Sequence, residues 1–247
     1  MSDVVPAVTA AEADRGFLAI LVDVLVAPGD GFRAIAARPS VLAPLLMAIG
    51  LGLAFSAVWV AKVDPIEFMK AQMEESGGAE RIPVEQRAEV LETQARFFKV
   101  FAWLGPMVFA PLMYAALAGL FLFVYRFFYG AEATFAQSLA VVSWCFVAFG
   151  LVLNPLILLV MALKNEWNVD PQSVVQASGA ALLDKAATAK PLYALAGSLD
   201  LFSFWLIALL SIGYGAIIRK PASSAAWGIV IPWACYVAGK CAMAAIF

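Results

Sequence analysis

Histidine is absent from the 247-residue chain. That excludes His-dependent catalytic triads, His-ligated zinc, haem on a proximal His and histidine proton relays. Charge is scarce as well. Only 14% of residues are charged and 64% are hydrophobic, where a soluble domain has about 25% and 45–50%. The mean hydropathy is +0.89. A soluble fold of this size must cover itself with polar residues, and this composition does not supply them. The chain is therefore expected to be an integral membrane protein. The formal net charge of −2 argues against nucleic acid as a partner. Cys145, Cys235 and Cys241 all lie in apolar stretches without CxxC spacing, so neither a metal site nor a disulfide framework is indicated. No cofactor is expected. Residues 1–14 carry Asp3, Glu12 and Asp14 and no Lys or Arg, so the basic leader of a signal peptide is missing.

What remains is a series of apolar runs. Five are long enough to span a bilayer, at about 41–61, 101–128, 136–163, 200–218 and 225–247, since a span needs about 20 apolar residues. The fold class read from this is all-α: a polytopic helical membrane bundle with five transmembrane helices, an N-terminal interfacial helix and helical extramembrane segments. Residues 1–40 form an N-terminal segment with short amphipathic helices, and 41–247 the membrane domain. From Phe17 to Val26 a short apolar helix is expected, in the interface or packed on the bundle. Arg15, Gly16, Ala19, Asp23 and Ala27 fall on its polar stripe, and Pro28-Gly29-Asp30-Gly31 ends it. A further short segment runs from Phe32 to Arg38.

Between the first two spans, Lys62 to Lys99 is polar and helix-prone. Asp64-Pro65 starts a helix that Gly77-Gly78 stops. The next helix begins near Pro83 and continues into the second span as one long projecting helix. Val84, Ala88, Leu91, Ala95 and Phe98 line one face of it, and Glu92 and Arg96 form an i,i+4 pair. Gly105-Pro106 and Pro111 should kink that span or reshape its entry. Phe121, Phe123, Tyr125, Phe127, Phe128 and Tyr129 crowd its end around Arg126, as an interfacial belt with a snorkelling cation or a cation–π site. Val169-Asp170-Pro171 echoes Val63-Asp64-Pro65 and predicts a helix that Gly179 weakens and Pro191 ends. Asn154-Pro155 reads either as a kink whose Asn bonds the freed carbonyl or as a broken helix on a substrate path. Lys240 reads either as a snorkelling lysine or as an intramembrane functional charge. Ser211 with Gly215 and Ser224 with Gly228 stand at helix-packing spacing.

Three stretches carry a resemblance. ATFAQSLAVV (Ala133 to Val142) places Thr134-Phe135 and then Gln137 ahead of an apolar helix. SLDLFSFWLIALLSIGYGAII (Ser198 to Ile218) combines Asp200, an aromatic cluster with Trp205, and Ile-Gly at Gly213, before the short basic loop Arg219-Lys220. APGDGFRAIAARPSVLAPLL (Ala27 to Leu46) sets a Pro, an aromatic and a second Pro before the first span. Together these resemble the Yip family, small polytopic proteins named for interaction with Ypt/Rab GTPases, in its bacterial branch. The resemblance implies five helices, a cytoplasmic N-terminus, and a role in membrane organisation or trafficking without an enzyme site. Its motif residues here are Thr134, Phe135, Gln137, Asp200, Trp205 and Gly213. The eukaryotic Asp-x-Trp-Gly-Pro block is not visible, so GTPase binding is not carried over.

The functional expectation is a non-enzymatic adaptor or scaffold in the bacterial cytoplasmic (inner) membrane, with membrane lipids and other membrane proteins as partners. The alternative is a lipid scramblase or small-molecule transporter, supported by Asn154-Pro155, the Gly105-Pro106 break and Lys240; the candidate functional polar residues are Asn154, Lys240 and Arg126. Charge bias does not orient the chain. Arg15, Arg33, Arg38, Arg126, Arg219 and Lys220 share the N-terminal side, but the two long segments opposite hold more Lys and Arg.

Overall fold

The computed structural model describes residues 16–75, 77–78, 82–175, 177–184 and 187–246. The readings made for residues 1–14, Arg15 and Phe247 lie outside the described residues. Helices dominate, and the one β feature among the described residues is an isolated antiparallel bridge between Ser178 and Asp200. Five helical stretches are long and apolar enough to cross a membrane: Leu42–Val60, Val84–Tyr129, Phe135–Lys164, Leu201–Ile218 and Ala222–Ile246. The expected all-α bundle with five spans is what the chain forms. It divides into two compact units, Met1–Leu46 with Met113–Phe149 and Gln176–Phe247, and Met47–Leu112 with Gly150–Val175.

In the first unit, α1 (Phe17–Val26) and α2 (Pro28–Ala37) pack against each other. The sequence Pro-Gly-Asp-Gly does not end α1 as a loop. Ala27 alone breaks the chain, and Pro28 opens α2 from its first turn, where a missing N–H leaves no bond unmade. Gly31 is needed there because a Cβ would lie 2.9 Å from the Val24 backbone nitrogen. α1 buries Val24 but leaves Leu18 72% and Val26 74% exposed. An apolar face open on one side and packed on the other fits a helix at a bilayer interface.

The remaining helices of this unit are the spanning α6 (Ala110–Tyr129, from Met113 on), α7 (Phe135–Lys164, up to Phe149), α10 (Leu201–Ile218) and α11 (Ala222–Ile246), with the short α9 (Lys190–Ser198). The one-turn α8 (Pro171–Val174) precedes α9 in the chain. α10 packs on α2 and α11, and α9 on α11. Gly213 permits the α10 contacts, since a Cβ there would stand 2.5 Å from Val141 Cγ1 and 3.1 Å from the Phe32 ring. The helix predicted from Asp170-Pro171 lasts only that one turn, and Pro191 opens α9 rather than ending a helix.

The second unit holds most of α3 (Leu42–Val60), α4 (Pro65–Glu75), α5 (Val84–Leu104) and the π turn Gly105–Phe109 that joins α5 to α6. α5, the turn and α6 form the one long helix expected. Pro106 explains the turn. It has no N–H for the Ala102 carbonyl, and the helix widens so that the Ala110 N–H bonds Gly105 instead. Ser56 Oγ then donates to the freed Ala102 carbonyl at 2.8 Å. One turn earlier on α3, Gly52 makes room for the Pro106 ring, which a Cβ would meet at 2.6 Å.

Trp59 near the end of α3 meets Phe68 of α4 and Phe98 of α5 edge to face, with centroids 5.4 and 5.1 Å away, and Phe68 and Phe98 meet at a tilt of 48°. The face of α5 is only partly covered. Ala95 and Phe98 are buried, but Val84 is 70% exposed. The two Val-Asp-Pro loops meet. Asp64 N–H donates to Asn168 Oδ1 at 2.8 Å, and Trp59 Nε1 donates to the Trp167 carbonyl. Both aspartates cap as expected, Asp64 to Ile66 and Glu67, Asp170 to Gln172.

Candidate functional site

In the first unit three of the motif residues, Thr134, Phe135 and Gln137, stand where α7 begins after α6 ends. Thr134 and Gln137 form a capping box. The Thr134 N–H donates to Gln137 Oε1 at 2.9 Å, and the Gln137 N–H donates to Thr134 Oγ1 at 3.3 Å. Thr and Gln three apart each satisfy an amide that the helix start leaves open. Gln137 Nε2 then reaches the Ala36 carbonyl at 3.4 Å and ties the start of α7 to the end of α2. Arg126 Nε donates to the Ala133 carbonyl at 2.9 Å, which folds the loop after Gly130 back on α6. Gly130 has φ of 62°, a left-handed turn that favours glycine.

Asp200 caps α10 by accepting from Ser203 N–H at 2.9 Å. At the far end, Arg219 takes a left-handed conformation and the Lys220 N–H closes on the Gly215 carbonyl. Gly215 has no space for a Cβ, which would lie 2.9 Å from the Lys220 carbonyl. Lys220 Nζ lies over the Tyr129 ring, 5.3 Å from its centre. Between this turn and the loop 130–132 lies a concavity of about 330 Å³, lined also by Tyr129 and Gln137. It presents Arg219, Lys220 and Glu132 beside the amide of Gln137.

Two other motif residues pack: Trp205 stacks on Phe149 at 6.3 Å and 21°, and Gly213 holds the close approach already described. Phe135 is exposed.

Behind this concavity sits a set of hydroxyls that sequence reasoning assigned to the belt or passed over. Tyr125 is fully buried rather than interfacial. It donates to the Ala225 carbonyl at 2.7 Å, and a Cβ at Gly228 would strike its ring at 2.7 Å. Tyr129 OH donates to the Ser224 carbonyl at 3.0 Å. Tyr125 stacks on Tyr214 with centroids 4.6 Å apart. Ser138 Oγ lies 2.7 Å from the Ala118 carbonyl and 2.5 Å from the Tyr214 hydroxyl. A carbonyl only accepts, so Ser138 donates to it and Tyr214 donates to Ser138. Ser138 and Tyr214 were absent from the candidates. A hydroxyl inside a span, which must be satisfied, was the available signal. The belt itself is the other face of α6, where Phe123, Phe127 and Phe128 are 59–70% exposed.

The profile of the Yip1 domain matches residues 22–242. The chain belongs to the Yip1-domain family. No curated protein and no solved structure matches it. As a Yip1-domain chain with five apolar spans, it is an integral membrane protein, and its Thr-Phe-x-Gln motif performs a definable task, capping one span and tying it to α2.

Two candidate polar residues of this Yip1-domain chain are not among those lining the motif concavity. Lys240 Nζ donates to Ser198 Oγ at 3.3 Å, which joins α11 to α9. Asn154 belongs to the second unit and is half-buried beside Gly150. α7 continues unbroken through Pro155, and Asn154 does not bond the carbonyl that Pro155 frees. The expected proline rescue occurs instead at Pro106, through Ser56.

Proposed function

We propose that this Yip1-domain protein is a non-enzymatic adaptor or scaffold in membrane organisation or trafficking, seated in the bacterial cytoplasmic membrane with its N-terminus in the cytoplasm. The observation that carries this reading is the use made of five hydroxyls inside the spans, although Ser143 Oγ and Trp144 Nε1 are buried there without a partner. Ser56, Tyr125, Tyr129 and Ser138 each bond a backbone carbonyl of a neighbouring helix, and Tyr214 bonds Ser138. Such groups tighten a bundle; a conduit for polar solutes needs them facing a hydrated path. The surfaces offered to partners are the N-terminal segment and the polar half of α5, where Val84 stands exposed.

One observation favours the scramblase reading. Asn154 lies within a span, half-buried, without a hydrogen bond to the described residues. The experiment is reconstitution of purified protein in liposomes, following fluorescent-lipid flipping and small-solute leakage. Flux at the level of empty liposomes is expected, unchanged by Asn154→Leu or Lys240→Leu. Wild-type flux well above that level, abolished by either change in well-folded protein, would replace the adaptor with a conduit.

A further inference from the structure

In the second unit, α3 leaves its apolar run at Ala61 and enters Lys62, while α5 enters its own apolar run after Lys99. Both lysines therefore stand where a helix changes from polar to hydrocarbon-compatible sequence. They line one concavity of about 510 Å³ together with Arg96, Asp64 and Ala95. Its floor includes the buried Val63 and Ala95. The i,i+4 spacing of Glu92 and Arg96 suggested an ion pair, but the pair does not form. Among the described residues none of Lys62, Arg96 and Lys99 is in an ion pair. The single carboxylate, Asp64, is already engaged by the amides of Ile66 and Glu67. Three cations converge on a preformed hollow with one capped acid as the opposing charge.

We propose that this concavity binds a phosphate group, that of an anionic glycerophospholipid at the bilayer boundary. Arg96 offers the planar fork that pairs two phosphate oxygens, and the lysines add point charges on either side. The apolar half of the same ligand also has a place. Val100 and Trp103 follow Arg96 at i+4 and i+7, on the same stripe of α5, and are 50% and 41% exposed. Acyl chains descending from a bound headgroup run along that stripe. The site is independent of the adaptor reading and stands whether or not a protein partner exists.

The test uses the full chain in nanodiscs of phosphatidylcholine alone, of phosphatidylcholine with phosphatidylglycerol, and of phosphatidylcholine with added inorganic phosphate. The readouts are the unfolding temperature and the lipid retained in native mass spectrometry. The triple change Lys62→Gln, Arg96→Gln and Lys99→Gln touches only exposed side chains. Lys70→Gln with Lys164→Gln removes two exposed cations that do not line the hollow. Wild type is expected to unfold at a higher temperature with phosphatidylglycerol and to retain it. The triple variant should lose about a hundredfold in retention, as removal of three boundary charges at about 1 kcal/mol each implies, and the control pair should behave as wild type. Equal retention by wild type and triple variant, or equal loss in the control pair, overturns the site. Stabilisation of wild type but not of the triple variant by inorganic phosphate, with no response to phosphatidylglycerol, keeps the phosphate chemistry and overturns the lipid as its source.

Discussion

The direction of the Ser138–Tyr214 hydrogen bond makes a quantitative prediction. Ser138 donates its single proton to the Ala118 carbonyl at 2.7 Å and accepts from Tyr214 at 2.5 Å, and both side chains are fully buried. Ser138→Ala removes the acceptor and leaves the Tyr214 proton buried without a partner, a penalty of about 1–3 kcal/mol. Tyr214→Phe keeps the ring stacked on Tyr125 and leaves the Ser138 proton on its carbonyl. It loses one hydrogen bond, worth about 0.6 kcal/mol between membrane helices. The expected values are about 2 kcal/mol for Ser138→Ala and about 0.6 kcal/mol for Tyr214→Phe. The double variant should fall at least about 1 kcal/mol short of their sum, because the orphaned hydroxyl is gone. Reversible unfolding in mixed micelles, titrated with a denaturing detergent, measures all four corners of the cycle. Additive effects, or Tyr214→Phe as costly as Ser138→Ala, would refute the assigned direction and the burial it rests on.

Two further outcomes rest on the packing and one on the proposed orientation. Gly213→Ala drives a Cβ to 2.5 Å from Val141 and should destabilise by about 1–3 kcal/mol. Gly119→Ala, with nothing within 4 Å, should be neutral or gain up to about 1 kcal/mol in helix propensity; thermal unfolding in detergent separates them, and equal losses would sink the packing argument. Thr134→Ala should cost about 1 kcal/mol through the lost cap. Gln137→Glu should keep the capping box but release the Ala36 carbonyl, so amide exchange at the start of α7 should rise more in the first variant than in the second. With a cytoplasmic N-terminus, reporter fusions at positions 35, 80, 131, 180 and 222 should read in, out, in, out, in, and a cytoplasmic signal at 80 would invert the orientation.

The five spans were legible in the sequence because a bilayer imposes one plain requirement, an uninterrupted apolar run of sufficient length. Which face of a span meets protein was not legible from hydropathy. On α6, Tyr114, Ala118, Phe121 and Tyr125 are buried at helical spacing, but Phe123 and Phe127 between them are equally apolar and exposed. Hydrophobic periodicity marks the core of a soluble helix because its other face is polar; inside lipid that contrast vanishes. Proline was ambiguous for a related reason. Pro28 and Pro191 open helices, where the sequence reading had them end one. A ring without an N–H suits a first turn and ends a preceding helix equally well. The motif residues were found by resemblance. Their role as a capping box was legible from Thr134 and Gln137 alone, three apart ahead of an apolar helix.

Proline in this chain also shows how a bilayer protein settles its open backbone groups, and where that bears on function. Each proline within a helix frees one carbonyl four residues back, which lipid does not satisfy. At Pro106 the debt is settled by Ser56, and Gly52 one turn away lets the ring approach. That arrangement fixes α3 against the π turn, so the irregularity reads as a docking feature. At Pro155 the helix also continues unbroken, yet Asn154, the polar residue beside it, has no hydrogen bond to the described residues. The same chemistry thus has two outcomes within one unit, closed at Pro106 and open at Asn154. A role confined to helix packing would be served by a second serine-like closure. The unbonded amide is therefore the place where a conduit reading must succeed or fail, and Asn154→Leu is the sharper of the two liposome variants, since Lys240 already has Ser198 as its partner.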